Sequence, residues 1–187
     1  MKTSNTKINQ IYLSNKSIYD IFERKFYYRS DYLNNGFYYN TKIGVIGIVE
    51  NGEAITNIYF GKIIPNNIKI IETELLKMAA MQIAEYFQNE RISFELPLHT
   101  EGTKFQEQVW NALKRIPYGS TWTYKELAEN INNSKACRAV GNANNKNPIP
   151  IIIPCHRVIG STGKLVGYAG GLDIKKKLLG IEKINEI

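Results

Sequence analysis

The chain of 187 residues carries 24 basic against 17 acidic side chains, a net charge of +7, and 43% of it is hydrophobic. That length and composition fit one medium or two small globular domains that bury a core without disulfides or a structural metal, and they argue against wholesale disorder. No run approaches the roughly 20 apolar residues of a membrane-spanning helix, and Met1-Lys2-Thr3-Ser4-Asn5 leads into no apolar stretch, so neither a membrane span nor secretion is expected.

Residues 1–35 are polar and aromatic without sustained period and read as an N-terminal extension, with one helical or strand segment around Ile18–Tyr28. The first clear signal is a β-hairpin. Ile43–Val49 and Ala54–Phe60 are β-rich runs, Tyr38-Tyr39 leads into the first, and Asn51-Gly52 between them suits a type I′ turn. A helix is predicted over 72–88, with Leu76, Ala79, Ala80, Ile83 and Phe87 on one stripe. Phe94–Pro97 is a short extended piece. Residues 1–95 show no visible chemistry of their own.

From Thr103 the texture changes. Thr103–Gln106 fits a capping box that opens a helix with Phe105, Val109 and Leu113 on its apolar face, stopped by Pro117-Tyr118-Gly119. Thr123–Glu126 is a second capping box, opening a short helix with Tyr124, Leu127, Ala128 and Ile131 on one face. Asn132-Asn133 makes a turn, and Ser134 is placed to cap a third helix over 135–145. Two short helices joined by a tight polar turn form a helix-turn-helix pattern. Ala136, Ala139, Val140 and Ala143 form the packing stripe of the third helix, while Lys135, Arg138, Asn142 and Asn145 fall on the opposite face with donors suited to phosphates and base edges. Such a face is also what any solvated surface helix presents. Charge points the same way as the motif: residues 100–187 hold 13 basic and 7 acidic side chains, net +6, whereas residues 1–99 hold 11 and 10. A basic half suggests a polyanion, although the chain is rich in lysine throughout.

Ile149–Ile153 reads as a short buried extended run that delivers Pro154-Cys155-His156-Arg157-Val158. Five glycines between 160 and 171 punctuate the loop that follows, and a final helix is predicted over 172–183. The only cysteines are Cys137 and Cys155, and the only histidines His99 and His156. With no CxxC and no second ligand pair, neither a disulfide scaffold nor a metal site is expected, and a reducing, cytoplasmic compartment is the better fit. A cysteine after an apolar run is usually a core residue. Here His156 and Arg157 follow at once, and an imidazole is a base that can activate a thiol. On an extended chain adjacent side chains point to opposite sides, so contact between Cys155 and His156 requires a bend or a bridging water.

These residues resemble a known family. Ile153-Pro154-Cys155-His156-Arg157-Val158-Ile159-Gly160 is similar to the active-site motif of the O6-alkylguanine-DNA alkyltransferases. Phe105–Trp110, Ile116–Gly119, Tyr124 with Leu127-Ala128, Arg138–Gly141, Asn147-Pro148 and Gly167–Leu172 match in order and spacing over about residues 103–183, with a weaker match from about Phe37 to Leu98. The resemblance implies an α+β fold: a small N-terminal α/β domain with a hairpin and helix (1–98), then a mainly α DNA-binding and alkyl-acceptor domain (99–187) with a winged-helix-like helix-turn-helix. It implies a stoichiometric methylated-DNA–protein-cysteine methyltransferase that flips out the alkylated guanine and keeps the alkyl group on Cys155. His156 would be the base, acting through a water, and Glu182 would orient it. Asn147 would organise the hinge around the pocket, and Tyr124 would protonate the departing guanine. Arg138 would fill the vacated stack, with Lys135, Asn142 and Asn145 beside it on the DNA. The backbone of Val158, Tyr168 and Ala169 would hold the base edge. Position 169 is alanine where some members have serine, and Cys155 stands where non-enzymatic relatives carry tryptophan. The implied partner is double-stranded DNA bearing O6-alkylguanine, with O4-alkylthymine a second candidate lesion. No cofactor, metal or membrane is implied, and a monomer is expected. Two other classes remain open on the residues alone: a helix-turn-helix regulator or lesion sensor without transfer, and a papain-type Cys–His hydrolase.

Overall fold

The computed structural model describes residues 34–183. The segment expected around Ile18–Tyr28 lies outside the described residues. The architecture is α+β, a small sheet with one helix followed by a helical half, as expected.

The sheet is larger than one hairpin. Strands β1 (Asn35–Thr41), β2 (Gly44–Glu50) and β3 (Ile55–Phe60) form an antiparallel meander, and the short β4 (Lys69–Ile70) adds to β1 in parallel, giving the order β3-β2-β1-β4. Tyr38 and Tyr39 lie inside β1 and do not merely lead into the next strand. Alternation divides the faces. Phe37, Tyr39, Ile46, Ile48 and Ile58 turn towards the main core, while Tyr38, Val49 and Tyr59 face Ile64 and Ile68 on the other side. Gly47 permits that second layer: a Cβ there would meet the Ile64 side chain at 2.6 Å.

The Asn51-Gly52 turn is not type I′. Only Gly52 has positive φ, and the connection spans Asn51–Ala54. The Asn51 side chain accepts from the N–H groups of Glu53 and Ala54 at 3.1 and 2.9 Å, a side-chain-closed turn that replaces the two-residue one. A register shift at Val49/Glu50 accompanies it.

Helix α1 (Glu74–Phe87) is capped by Thr73, whose hydroxyl accepts from Leu76 N–H, and it buries Leu76, Ala79, Gln82, Ile83, Tyr86 and Phe87. Helix α2 (Lys104–Leu113) and helix α3 (Tyr124–Asn130) both start in the predicted capping boxes, with reciprocal bonds at Thr103/Gln106 and Thr123/Glu126. Helix α4 (Cys137–Asn145) departs from expectation. It starts two residues later than predicted, its N-cap is Ala136, and Ser134 makes no side-chain cap. Its buried face is Val140, Ala143 and Asn144, whereas Ala139 is exposed beside Arg138. The Trp110 indole of α2 donates to Ala143 O of α4 at 2.9 Å and locks the two helices together.

Ile149–Ile153 is buried but not extended. It is a tight turn in which Ile153 N–H donates to Ile149 O at 2.9 Å and Ile151 has φ +77°. A β-branched residue there stores strain of about 1–3 kcal/mol, held by burial of Ile149, Ile151 and Ile153. A 3-10 turn (Cys155–Arg157) follows, then β5 (Trp122–Thr123) pairs in parallel with β6 (Val158–Ile159). Helix α5 (Leu172–Ile181) ends with Glu182 as its C-cap.

One buried core runs from the sheet into the helical half. The free edge of β3 is tied there as well: Ile55 N–H donates to Pro97 O, His99 N–H to Ile55 O, and Ile58 N–H to Pro148 O, at 2.9–3.0 Å. The last bond fixes Pro148, next to Asn147 and seven residues before Cys155, so the sheet helps place the site.

Candidate active site

The turn at Cys155 resolves the geometric objection raised by an extended chain. In a 3-10 turn successive side chains are not on opposite faces of a strand, and the turn buries all three of Cys155, His156 and Arg157. His156 Nε2 stands 2.8 Å from Glu182 Oε1 with both side chains fully buried. A carboxylate only accepts, so Nε2 carries the proton and Nδ1 keeps its lone pair. Nδ1 has no hydrogen-bond partner among the described residues.

Glu182 is held from several sides. Arg157 donates through Nε at 2.9 and 3.2 Å and through a terminal nitrogen at 3.0 Å. Gly119 N–H donates to Oε2 at 3.2 Å and the Tyr86 hydroxyl to Oε1 at 2.7 Å. Arg157 is itself anchored on Ile116 O at 2.6 Å and lies 5.8 Å from the Tyr118 ring centre. Burial alone would raise the Glu182 carboxyl, but the bonds and charges of His156 and Arg157 outweigh it and hold it down at about 2. Burial lowers His156 despite the carboxylate beside it, so the imidazole is neutral at neutral pH and able to accept a proton.

Burial pushes the Cys155 thiol up to about 11, against a smaller opposing pull from Asn147, Lys175 and Tyr168. The thiol is therefore protonated at rest and needs a base. The Asn147 amide donates to Ile153 O at 2.8 Å and accepts from Ile149 N–H at 3.1 Å, closing the turn that presents Cys155. Asn144, buried on α4, reaches Cys155 O at 3.4 Å. Tyr168 is buried beside the thiol, and the nearby sulfur adds to the effect of burial in raising its hydroxyl. Its ring lies 5.7 Å from Phe60 of β3, and a Cβ on Gly170 would strike the same Phe60 ring at 2.8 Å. Ala169 between them is exposed.

Tyr124 opens α3 with its hydroxyl donating to Val166 O at 3.4 Å. Burial, and then the nearby sulfur of Cys155, raise that hydroxyl, so it holds its proton at neutral pH. Val158 lies in β6 and its carbonyl accepts from Lys175 Nζ at 2.6 Å. Lys175 also donates to Val166 O at 2.9 Å and is fully buried. Burial lowers it to about 8, which leaves it an ammonium at pH 7.

Cys155, His156, Glu182, Asn147, Tyr124, Val158 and Tyr168 thus come together at one place. Arg138, Asn142 and Asn145 are exposed along α4, and Lys135 is exposed in the turn before it, since the helix starts only at Cys137. Asn145 also closes on the glycine loop: a Cβ at Gly167 would meet its amide nitrogen at 3.3 Å. Three participants escaped the sequence reading, Tyr86, Lys175 and Asn144, and Arg157 was read only as part of the motif, without its role on Glu182. Tyr86 lies three residues after Ile83 on the stripe of α1, a position that marks burial but not the use of the hydroxyl. Lys175 shows as an ordinary lysine in a basic helix.

A buried His–carboxylate pair in the same turn as a buried cysteine, next to a helix-turn-helix, defines a class in which a cysteine site and a helix-turn-helix share one domain. Comparison with known proteins narrows it. The 6-O-methylguanine DNA methyltransferase DNA binding domain matches residues 104–184, and the ribonuclease-like domain of the same methyltransferase matches residues 37–100. The constitutive methylated-DNA–protein-cysteine methyltransferase of Bacillus subtilis is 44% identical over 153 residues, covering 78% of this chain and 93% of the relative. That of Methanosarcina acetivorans is 62% identical over 109 residues, covering 58% of this chain and 70% of the relative. Among solved structures, Mycobacterium tuberculosis OGT in complex with DNA aligns with a TM-score of 0.76 at 40% identity, covering 80% of this chain and 93% of that one. The chain belongs to the 6-O-methylguanine DNA methyltransferase family.

Proposed function

We propose that this protein repairs O6-alkylguanine in double-stranded DNA by moving the alkyl group to its own Cys155, once per molecule. The observation that carries the reading is the His156–Glu182 pair: a buried, neutral imidazole held through Nε2, with Nδ1 unpartnered, in the same turn as a buried thiol.

The chemistry follows from those groups. Cys155 is too weak an acid to attack unaided. His156 Nδ1 takes the thiol proton through a water as the sulfur attacks the alkyl carbon. Glu182 stabilises the imidazolium that forms, the logic of a triad without a proton reaching the carboxylate. The S–C bond forms as the bond from alkyl carbon to guanine O6 breaks, and the guanine leaves as an anion. Tyr124, protonated at rest, donates to it. The thioether does not hydrolyse, so the acceptor is consumed. Asn147 organises the hinge of the pocket, and the backbone of Val158, Tyr168 and Ala169 holds the base edge.

The lesion reaches a buried sulfur only if it leaves the stack, which is the reason to assign base flipping. Arg138, exposed on α4, fills the gap, with Lys135, Asn142 and Asn145 beside it. The work divides between a domain over residues 1–98, of which the described residues 34–98 buttress the site, and a domain over residues 99–187, which binds DNA and accepts the alkyl group. Two cysteines outside any disulfide suit a reducing cytoplasm. A regulator that only binds DNA would leave the buried network without a use. A papain-type hydrolase would need an ionised thiol at a helix start, whereas this thiol is neutral and sits in a 3-10 turn.

Incubation with a duplex carrying one O6-methylguanine tests the reading. The wild-type protein restores guanine in an amount equal to the protein added, and Cys155→Ala restores none while still binding the duplex. Multiple turnovers, or restoration by Cys155→Ala, would overturn it.

A further inference from the structure

Tyr86 belongs to α1, in the half of the chain whose sequence shows no chemistry. Its hydroxyl nevertheless donates to Glu182 Oε1 at 2.7 Å and lies 3.5 Å from His156 Nε2. The side chain is fully buried. Three aromatic rings fix it: Phe87, Phe94 and Tyr118, with centres 5.6, 5.6 and 6.1 Å away. The same carboxylate oxygen that receives the imidazole N–H and the Arg157 guanidinium therefore also receives a hydroxyl donor from a different element, α1.

We infer that Tyr86 is a positioning residue for alkyl transfer, holding Glu182 Oε1 in line with His156 and setting how strongly that carboxylate supports the imidazolium. The inference rests on the proposed role of His156 as base. A donor to Oε1 withdraws negative charge from the atom facing His156 Nε2. Less charge there stabilises the imidazolium less, so the hydroxyl keeps His156 neutral over a wider pH range. The other groups facing this pair are Arg157 and Cys155 from the turn, Lys175 from α5, Tyr118 from the loop after α2 and Tyr168 from the glycine loop. None of them supplies a second hydroxyl to Oε1: Arg157 and Gly119 are the remaining donors to Glu182.

The test is the pH dependence of single-turnover transfer from an O6-methylguanine duplex. Tyr86→Phe keeps the ring and its aromatic contacts and removes only the hydroxyl. The acid limb of its rate profile should move up by about 0.5–1 pH unit, which slows transfer about 3- to 10-fold below the limb, while the high-pH plateau stays within about 2-fold. Site-specific 3-fluorotyrosine at position 86 is a stronger donor and should move the limb the other way. It carries the test alone if Tyr86→Phe does not fold. Phe94→Leu, which loosens the ring packing but keeps the hydroxyl, should leave the midpoint in place. An unmoved limb in both Tyr86 proteins, or an equal shift in Phe94→Leu, would overturn the inference. Absence of transfer by the wild-type protein would instead overturn the function on which it rests.

Discussion

Glu182 accepts from Tyr86, Gly119, His156 and Arg157 at once, and all of this happens away from water. A buried charge with so many donors is costly to disturb. Glu182→Gln keeps the shape but turns an NH₂ group towards donors and leaves Arg157 without its counter-charge. It should lower stability by about 3–5 kcal/mol, read by urea unfolding, and slow transfer as well. A loss below about 1 kcal/mol would show that Arg157 finds another partner. The carboxyl also sets a pH dependence. Its folded value of about 2 is below the unfolded value of about 4.3, so its contribution is complete above about pH 5 and is lost as pH falls from there towards 2. His156, lowered by burial, acts with the same sign from about pH 6.5 downwards. The urea midpoint should therefore fall steadily below about pH 6, and the Glu182→Gln protein should lose less over pH 5–3 than the wild type. Equal slopes in the two proteins would contradict the assignment. At this scale the sequence was informative where a motif names side chains: Cys155, His156 and Glu182 are read from their resemblance to a known pattern. Tyr86 and Lys175 were not legible, because periodicity reports that a position is buried and says nothing of what the polar tip of the side chain reaches.

Helix α4 carries Arg138 on its exposed polar face, and its geometry separates packing from function. Val140, Ala143 and Asn144 are buried, while Arg138, Ala139 and Asn142 face outwards. Arg138 can therefore be removed without opening a cavity. In the proposed reaction it offsets the few kcal/mol lost when a base leaves the stack. Arg138→Ala should slow single-turnover repair of duplex DNA by roughly 10- to 100-fold, at about 1.4 kcal/mol per tenfold, and leave reaction with the free alkylated base nearly unchanged. Equal slowing on both substrates would place Arg138 in the chemistry or the fold. Element boundaries were legible where side chains satisfy helix ends. Both capping boxes, at Thr103 and Thr123, stand as predicted because each closes two bonds within four residues. Ser134 had the right residue type without the right backbone, since the turn before α4 runs on to Ala136. The Asn51 turn and the 149–153 turn failed for a related reason. Asn51 closes its loop through the side chain, and Ile151 adopts a left-handed conformation that local preference disfavours and burial enforces.

Across the whole chain, charge and structure are distributed together. Residues 100–187 carry 13 basic and 7 acidic side chains, and within them α4 exposes its polar face. Phosphate contacts release counterions, so binding to duplex DNA should weaken steeply with salt, by about 10-fold or more between 50 and 200 mM if a few phosphates are engaged, with little preference among undamaged sequences. A flat salt series measured by fluorescence anisotropy would contradict this. The sheet supports the same site from the other half, through Phe60 against Gly170, the Ile58–Pro148 bond and the Tyr86 hydroxyl. The hydrophobic pattern showed the hairpin and α1, but contacts between distant segments carry no local signature, so this support was invisible in the sequence. The central claim is that one buried cysteine is the acceptor and is used once. Intact-mass measurement with peptide mapping, after incubation with excess O6-methylguanine duplex, tests it most directly. The account predicts a gain of one methyl group per molecule, located on Cys155 with Cys137 unmodified. A methyl group on Cys137, or an unmodified protein in a reaction that has restored guanine, would contradict it.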